Sequence, residues 1–489
     1  MDSSHSGDRL EEARLGEAPV SDARFDDLRP DGLRLGSSYR DPSGFVFRRN
    51  GELFRQVNEG YRIDYESLMG GGLYEALKSS GQLIEHEPVD VPFADQRVGW
   101  KVIRPRAVGF ISYPYEWSFG ELKDAALLTL AVQKRALEHG MSLKDATAFN
   151  VQFDGGKPIL IDTLSFEKYE EGQPWVAYRQ MCQHFLAPLA LMSLRDIRLN
   201  QLFVTNLDGI PLDLASSLLP VLSRAKLGLL VNLHMHAKMH RKHATSVEKP
   251  ATTRKVGRTQ LLGIIDSLES AIKGLDWSPG GTEWADYYQD TNYTDAAMEQ
   301  KRKLVAEFIE AAGPKTVWDL GANTGEFSRL ASERGIDTVA FDIDPAAVEK
   351  NYRRMKEKGE KHLLPLVMDL TSPSPAIGWN LDERMSLVQR GPADLVLALA
   401  LIHHLAISGN VPLGDVAKFM AQVGRKLVIE FVPKSDSQVS RLLVVRKDIF
   451  GGYTQEAFEE EFSRYFAIDR REPVVGSQRV MYLMSRLPQ

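Results

Sequence analysis

The sequence predicts an α/β fold for the C-terminal half, a Rossmann-like seven-stranded sheet, preceded by an α+β, mainly helical domain. Three observations lead there. From about Thr294 onward, short apolar runs alternate with helical patterns, the sequence signature of a parallel sheet covered on both faces. The run Val317-Trp318-Asp319-Leu320-Gly321-Ala322-Asn323-Thr324-Gly325-Glu326-Phe327 joins an apolar strand to a helix start through a glycine loop. And 489 residues exceed what one hydrophobic core organises, so two domains plus tails are expected.

Residues 1–38 alternate Asp, Glu and Arg with Gly, Ser and Pro and hold few large apolar side chains. Burial there cannot offset the entropy of ordering, so a disordered tail is expected. Phe45-Val46-Phe47-Arg48-Arg49-Asn50-Gly51-Glu52-Leu53-Phe54-Arg55 sets two strand-like runs around Asn-Gly, whose tolerance of positive φ suits a two-residue hairpin turn. A helix is read over 61–78, two strands within 98–111 and a helix over 121–139, giving an α+β domain over 39–240. Residues 241–260 are basic, without apolar periodicity or interleaved aromatics, and read as a solvated linker rather than a nucleic-acid-binding arm. The second domain is assigned to 261–489, with a helical lid at its start. Its first long helix, 294–312, ends at Gly313-Pro314, and strands are read at 316–320, 338–343, 363–368, 393–399, 426–431, 465–468 and 479–484.

Composition narrows the function classes. Hydrophobic residues make up 43% and charged residues 26%, as in globular proteins, and the net charge of −6 offers no overall basic field for nucleic acid or an anionic membrane. A small-molecule or glycan substrate fits this balance. The only cysteine, Cys182, excludes an intramolecular disulfide and a Cys-based zinc site, and with no apolar h-region at the start the cytoplasm is the expected compartment. The most apolar stretch, 210–233, is interrupted by Asp213, Arg224 and Lys226, so no membrane insertion is expected.

The glycine loop discriminates between ligands. A dinucleotide site needs a second glycine where Asn323 stands and no acid where Glu326 opens the helix, because two phosphates would meet the wrong charge. A cationic ligand without phosphate tolerates Asp319 beside the loop. Val339-Ala340-Phe341-Asp342-Ile343-Asp344-Pro345 ends the second strand in an acid about twenty residues on, the position that reads a ribose. Asp344 before Pro345 reads as a helix N-cap. The third strand ends at Asp369, and the fourth runs into Ala400-Leu401-Ile402-His403-His404-Leu405.

This order of motifs resembles class I S-adenosylmethionine-dependent methyltransferases. The resemblance implies S-adenosyl-L-methionine as methyl donor, held by Asp319, Gly321, Asn323, Gly325, Asp342 on the ribose and Asp369 on the adenine. It places His404 beside the transferred methyl, where an imidazole could serve as base; packing or capping is the competing reading, and no third ligand is spaced to make His403 and His404 a metal site. Glu430, ending the fifth strand, and the aromatic lid 284–293, with Tyr288 and Tyr293, are the candidate acceptor contacts, with core packing the alternative for the lid.

In the N-terminal half, Asp145, Asn150 five residues on, the turn Asp154-Gly155-Gly156-Lys157 and Asp162 after Pro158-Ile159-Leu160-Ile161 resemble the catalytic loop and metal-binding aspartate of protein-kinase-like folds. That resemblance implies Asp145 as base, Asn150 and Asp162 as Mg ligands, and ATP. Leu143-Lys144 replaces the usual His-Arg, Thr163-Leu164 replaces Phe-Gly, and neither a glycine-rich phosphate loop nor a V-A-I-K lysine is present; Gly70-Gly71-Gly72 lies in a helical pattern. Over most residues from about 38 onward, through R-D-P-S-G-F-V-F, P-Y-E-W-S-F, I-D-T-L-S-F and C-Q-H-F-L-A-P-L-A-L, the chain resembles bacterial class I methyltransferases related to a rhizobial nodulation protein. Methylation of a small molecule or glycan is the leading expectation, with an acceptor side depending on the N-terminal half. A bifunctional glycan kinase/methyltransferase and a non-catalytic S-adenosylmethionine-binding recognition protein are the alternatives.

Overall fold

The structure is a computed structural model and describes residues 34–238, 255–280, 295–444 and 448–488. The last residues read as tail are structured where they are described: Arg34 bridges Phe47, and Gly36–Ser38 forms a short 3-10 turn.

The N-terminal half opens with the hairpin of β1 (Gly44–Arg49) and β2 (Glu52–Asn58), in which Arg49 pairs with Glu52 across Asn50 and Gly51, both at positive φ. The expected single helix is two, α1 (Arg62–Gly70) and α2 (Leu73–Ser79), because Gly72 turns the chain with φ +77°. β3 (His86–Val89) was not legible, since Pro88 and flanking acids argue against a strand; it lies at the sheet edge, where a proline costs no ladder bond. Of the two strands expected within 98–111 only β4 (Gly99–Pro105) forms, and the four strands make an antiparallel sheet in the order β1-β2-β4-β3. Helix α3 (Phe119–Glu138) begins at Ser118, whose Oγ accepts from the Glu121 amide while Glu121 accepts from the Ser118 amide. Three short pieces follow as β5 (Met141–Leu143), the hairpin β6 (Val151–Asp154) with β7 (Lys157–Leu160), and β8 (Phe166–Lys168). The half closes in helical segments, as its apolar composition over 178–238 suggests.

Helix α4 (Arg258–Lys273) starts inside the segment read as linker and packs on α3, with Lys134 holding Asp266 at 2.7 Å and also pairing with Glu269. It therefore belongs to the N-terminal half, not to the second domain as expected. The boundary was misplaced because an amphipathic stripe shows that a helix buries one face but not against what.

The C-terminal half is helix α5 (Asp295–Ala312), then β9 (Thr316–Leu320), β10 (Asp337–Asp342), helix α6 (Pro345–Lys358), β11 (Leu363–Val367), β12 (Ala393–Ala398), β13 (Gly424–Phe431), β14 (Phe466–Pro473) and β15 (Val480–Arg486). These strands form one seven-stranded sheet in the order β11-β10-β9-β12-β13-β15-β14. The sheet is Rossmann-like in its parallel part, and β15 runs antiparallel between β13 and β14. The order reverses at β9, between β10 and β12, which puts the glycine loop at the switch point.

The halves share one continuous core cluster. Phe110 packs edge-on against Trp318 and Phe341, with ring centroids 5.5 and 5.8 Å apart, and the Tyr352 hydroxyl donates to Asp124 at 2.6 Å. Between them lies a buried ion pair in which Arg390 donates to both Glu116 oxygens, at 2.5 and 2.9 Å, and Ser374 Oγ adds a third bond to Glu116 at 2.5 Å.

Candidate functional site

The loop after β9 is shaped by its backbone. The Gly321 and Ala322 amides both donate to the Phe341 carbonyl at 2.9 Å, which ties the loop to the end of β10. Gly321, Asn323 and Gly325 all have positive φ, of 80°, 50° and 78°. Asn323 is the side chain that best tolerates this region, and its Oδ1 accepts from the Thr324 amide at 2.9 Å. A Cβ on Gly325 would lie 2.5 Å from Asn351 and 2.7 Å from Arg329, so only glycine lets the loop close here.

Two buried carboxyls face each other across this turn. Asp342 accepts from the Asn323 amide at 2.7 Å and from the Asp344 amide at 2.8 Å, and Asp319 accepts from Ser328 Oγ at 2.6 Å. Burial pushes Asp342 up to about 6 and Asp319 up to about 7; the Asp344 charge raises Asp342 further, and the Asp342 charge raises Asp319. Asp344 caps α6 through the Ala346 amide, as expected. Asp369, at the end of β11, accepts from the amide and hydroxyl of Thr371 in a tight turn. The structure thus brings Asp319, Gly321, Asn323, Gly325, Asp342 and Asp369 to the carboxyl ends of three adjacent strands.

The cations around the loop are already matched. Arg329 holds Glu360 and the Thr324 carbonyl, and Arg302 and Arg354 both hold Glu326, so the acid that opens the helix after the loop is paired with two cations. His403 and His404 follow β12 with ring centroids 4.1 Å apart; burial holds both imidazoles below their ordinary range, His404 at about 4, so both are neutral at pH 7. His403 Nδ1 is buried with no partner among the described residues. Glu430 is fully buried and bonded by Lys301 Nζ at 2.7 Å, with Arg479 3.7 Å away. That geometry makes it the centre of a buried charge network rather than an open acceptor contact. Lys301 escaped the sequence reading, yet it falls on the apolar stripe of α5 with Met298, Val305 and Phe308, and a lysine on such a stripe is a signal of a buried partner. Tyr288 and Tyr293 lie outside the described residues.

In the N-terminal half, Asp145, Asn150 and Asp162 line one cavity of about 910 Å³. Arg55, on β2, reaches Asp162 at 2.7 Å and Asp41 at 3.4 Å, so one of the two expected magnesium ligands carries an arginine instead. Asn150 donates to Ser165 at 3.1 Å, and burial together with the Asp162 charge raises the Asp145 carboxyl. Among the described residues no group of three acidic, His or Cys side chains is placed to hold a metal. Phe110 and Arg390, which line this cavity, also line a smaller one formed by the amino ends of the C-terminal strands at Thr316, Thr338, Leu363 and Ala393. The N-terminal cavity and the glycine loop therefore sit at opposite ends of the sheet. The expectation that the N-terminal half completes the acceptor side meets this geometry as an obstacle.

No family model matches the chain. Solved structures with a similar fold include WbdD (16% identical, covering 42% of this chain but only 43% of that one, TM-score 0.30). They also include magnesium protoporphyrin IX methyltransferase from Synechocystis PCC 6803 (16% identical, 41% of this chain and 91% of that one, TM-score 0.30) and N-methyltransferase NodS from Bradyrhizobium japonicum WM9 (10% identical, 40% and 98%, TM-score 0.28). At such scores the fold rests on the strand order itself. In sequence, the chain is 36% identical to the nodulation protein NoeA of Rhizobium meliloti (strain 1021) over 460 residues, 93% of this chain and 96% of that protein. The chain belongs to the family of the nodulation protein NoeA.

Proposed function

We propose that the protein is an S-adenosylmethionine-dependent methyltransferase acting on a small molecule or glycan, at the carboxyl ends of β9, β10 and β11. The observation that carries this reading is the loop in which Gly321, Asn323 and Gly325 turn against Asp342. The fit to the donor is supported by the backbone turn that Gly321, Asn323 and Gly325 make beside the buried Asp319 and Asp342 carboxyls and by the orphaned His403 Nδ1 on the segment after β12. S-adenosylmethionine supplies an electrophilic methyl group on a cationic sulfur. For this chain's residues that leaves binding and placement: Asp342 would accept from the ribose hydroxyls, Asp369 would reach the adenine side, and Asp319 would favour positive charge. In this reading neutral His404, on the segment after β12, would accept a proton from a hydroxyl or amine acceptor. In-line alignment of the acceptor supplies the rest of the rate. The likeness to the nodulation protein NoeA supports a place for this chain in nodulation. Calorimetric titration with S-adenosylmethionine, followed by comparative glycan and metabolite mass spectrometry of cells with and without the gene, tests the reading; no binding, or binding indifferent to Asp342→Ala, would remove it.

A second reading, a glycan kinase joined to the methyltransferase, is favoured by the gathering of Asp145, Asn150 and Asp162 in one cavity. Turnover of radiolabelled ATP that disappears in Asp162→Ala would support it. An N-terminal half blind to ATP would leave it as a recognition module.

A further inference from the structure

The most exposed apolar side chains of the N-terminal half gather at one place. Val221, Leu222 and Leu227 are 75%, 83% and 73% exposed, and Val231 and Met235 continue from Leu227 at four-residue spacing, also exposed. Spacing of that kind puts Leu227, Val231 and Met235 on one face of the helical run that begins at Leu227. The Val221–Ala225 turn is fastened beside this run by His234, whose Nε2 lies 2.8 Å from Ser223 Oγ and whose Nδ1 lies 2.8 Å from Ser216 Oγ. The apolar tip is therefore held by a buried polar clasp and is not a frayed end.

The charge that follows this tip's helix in sequence is positive, and Asp213, at the start of the Leu212–Leu218 helix, is the exposed acid that precedes it. From Leu214 to Val247 the chain contains no Asp or Glu, while Arg224, Lys226, Lys238, Arg241 and Lys242 fall within it, in a protein of net charge −6. Arg224, Lys226 and Lys238 are exposed, the first two between Leu222 and Leu227. The nearest acids of the helix packed behind, Asp266 and Glu269 of α4, are taken up by Lys134 and Lys273. Leucines at a rigid tip, flanked by cations on long aliphatic stems, match an anionic lipid surface: the apolar groups enter the acyl boundary while the cations rest among the headgroups. A protein partner would more often present an apolar face enclosed by mixed charge.

We propose that the Val221–Met235 surface docks the protein on membranes rich in anionic lipid. Binding lies in the interface plane, because none of the described helices is long and apolar enough to cross a membrane. It is independent of the methyl-transfer reading, since no residue of the glycine loop takes part.

Co-sedimentation of the full chain with vesicles of phosphatidylcholine alone, and with one lipid in three replaced by phosphatidylglycerol, tests the proposal. The expected result is capture by the anionic vesicles, weakened by salt. Leu222→Asp with Leu227→Asp should reduce it by about tenfold or more, and Arg224→Ala with Lys226→Ala by roughly fivefold per cation. Unchanged far-UV circular dichroism and melting would show that these exposed changes leave the fold intact. Wild-type protein that ignores anionic vesicles would overturn the proposal, as would capture indifferent to the leucine pair. So would light scattering that finds a dimer dissolved by the same leucine pair in a protein without vesicle affinity.

Discussion

At the scale of single residues, the donor loop trades stability for charge. Asp342 and Asp319 titrate at about 6 and about 7, above the ordinary 3.8. Between pH 4 and 7 the folded protein therefore binds protons that the unfolded chain has released, and stability in the absence of ligand falls as pH rises through that window. Affinity for S-adenosylmethionine moves the other way, since a carboxylate is needed to accept from the ribose. Titration calorimetry should find affinity declining below about pH 6. Asp342→Asn should lower it about ten- to hundredfold at pH 7.5 and flatten the profile. Gly325→Ala should cost about 2 kcal/mol or more in urea unfolding, because a positive φ and two sub-contact distances act together. Gly51→Ala, at φ +77° with open space around it, should cost only about 1 kcal/mol.

At the scale of elements, the contact between the halves turns on Glu116 and Arg390, which are almost fully buried and bonded twice. Removing one partner leaves the other charged in a desolvated place, so Glu116→Ala should destabilise the protein by about 3–5 kcal/mol in chemical denaturation. Glu116→Met combined with Arg390→Met should recover much of that loss; a double variant as unstable as the single one would show that the charges themselves are needed. Neither residue was visible as a pair in the sequence, since 274 positions separate them. What was legible followed local rules: Asn50-Gly51 gave its hairpin, the apolar spacing over 121–139 its helix, and the β9 loop its position between strand and helix. The losses were tertiary. Pro88 hid an edge strand, the glycines at 70–72 split one helix into two, and α4 has an apolar stripe that fits either half. At the proposed donor site, the glycine loop and Asp342 were readable from spacing, and the structure brings them together. Lys301 and Arg479 were not, because their charge is explained only by Glu430, brought from another strand.

At the scale of the whole molecule, the glycine loop and the N-terminal cavity lie at opposite ends of one sheet, and the halves that carry them share a core. Phe110, Trp318, Phe341 and Tyr352 knit the cluster across the boundary, so separating the halves would bare a large apolar face as well as the Glu116–Arg390 pair. Such a junction should make the two halves unfold as one cooperative unit. Unfolding entropy then scales with the whole chain, and S-adenosylmethionine at about a hundred times its dissociation constant, contributing about 2.7 kcal/mol, should raise a single calorimetric transition by about 2–3 °C. If the halves melted separately, the same ligand would move only the C-terminal transition, by about 6 °C, and leave the other in place. Glu116→Ala offers the internal control: by weakening the junction it should split or broaden the transition and let the ligand-sensitive part shift alone. A wild-type profile with two peaks, one of them unmoved by ligand, would mean that the shared core does not couple the ends.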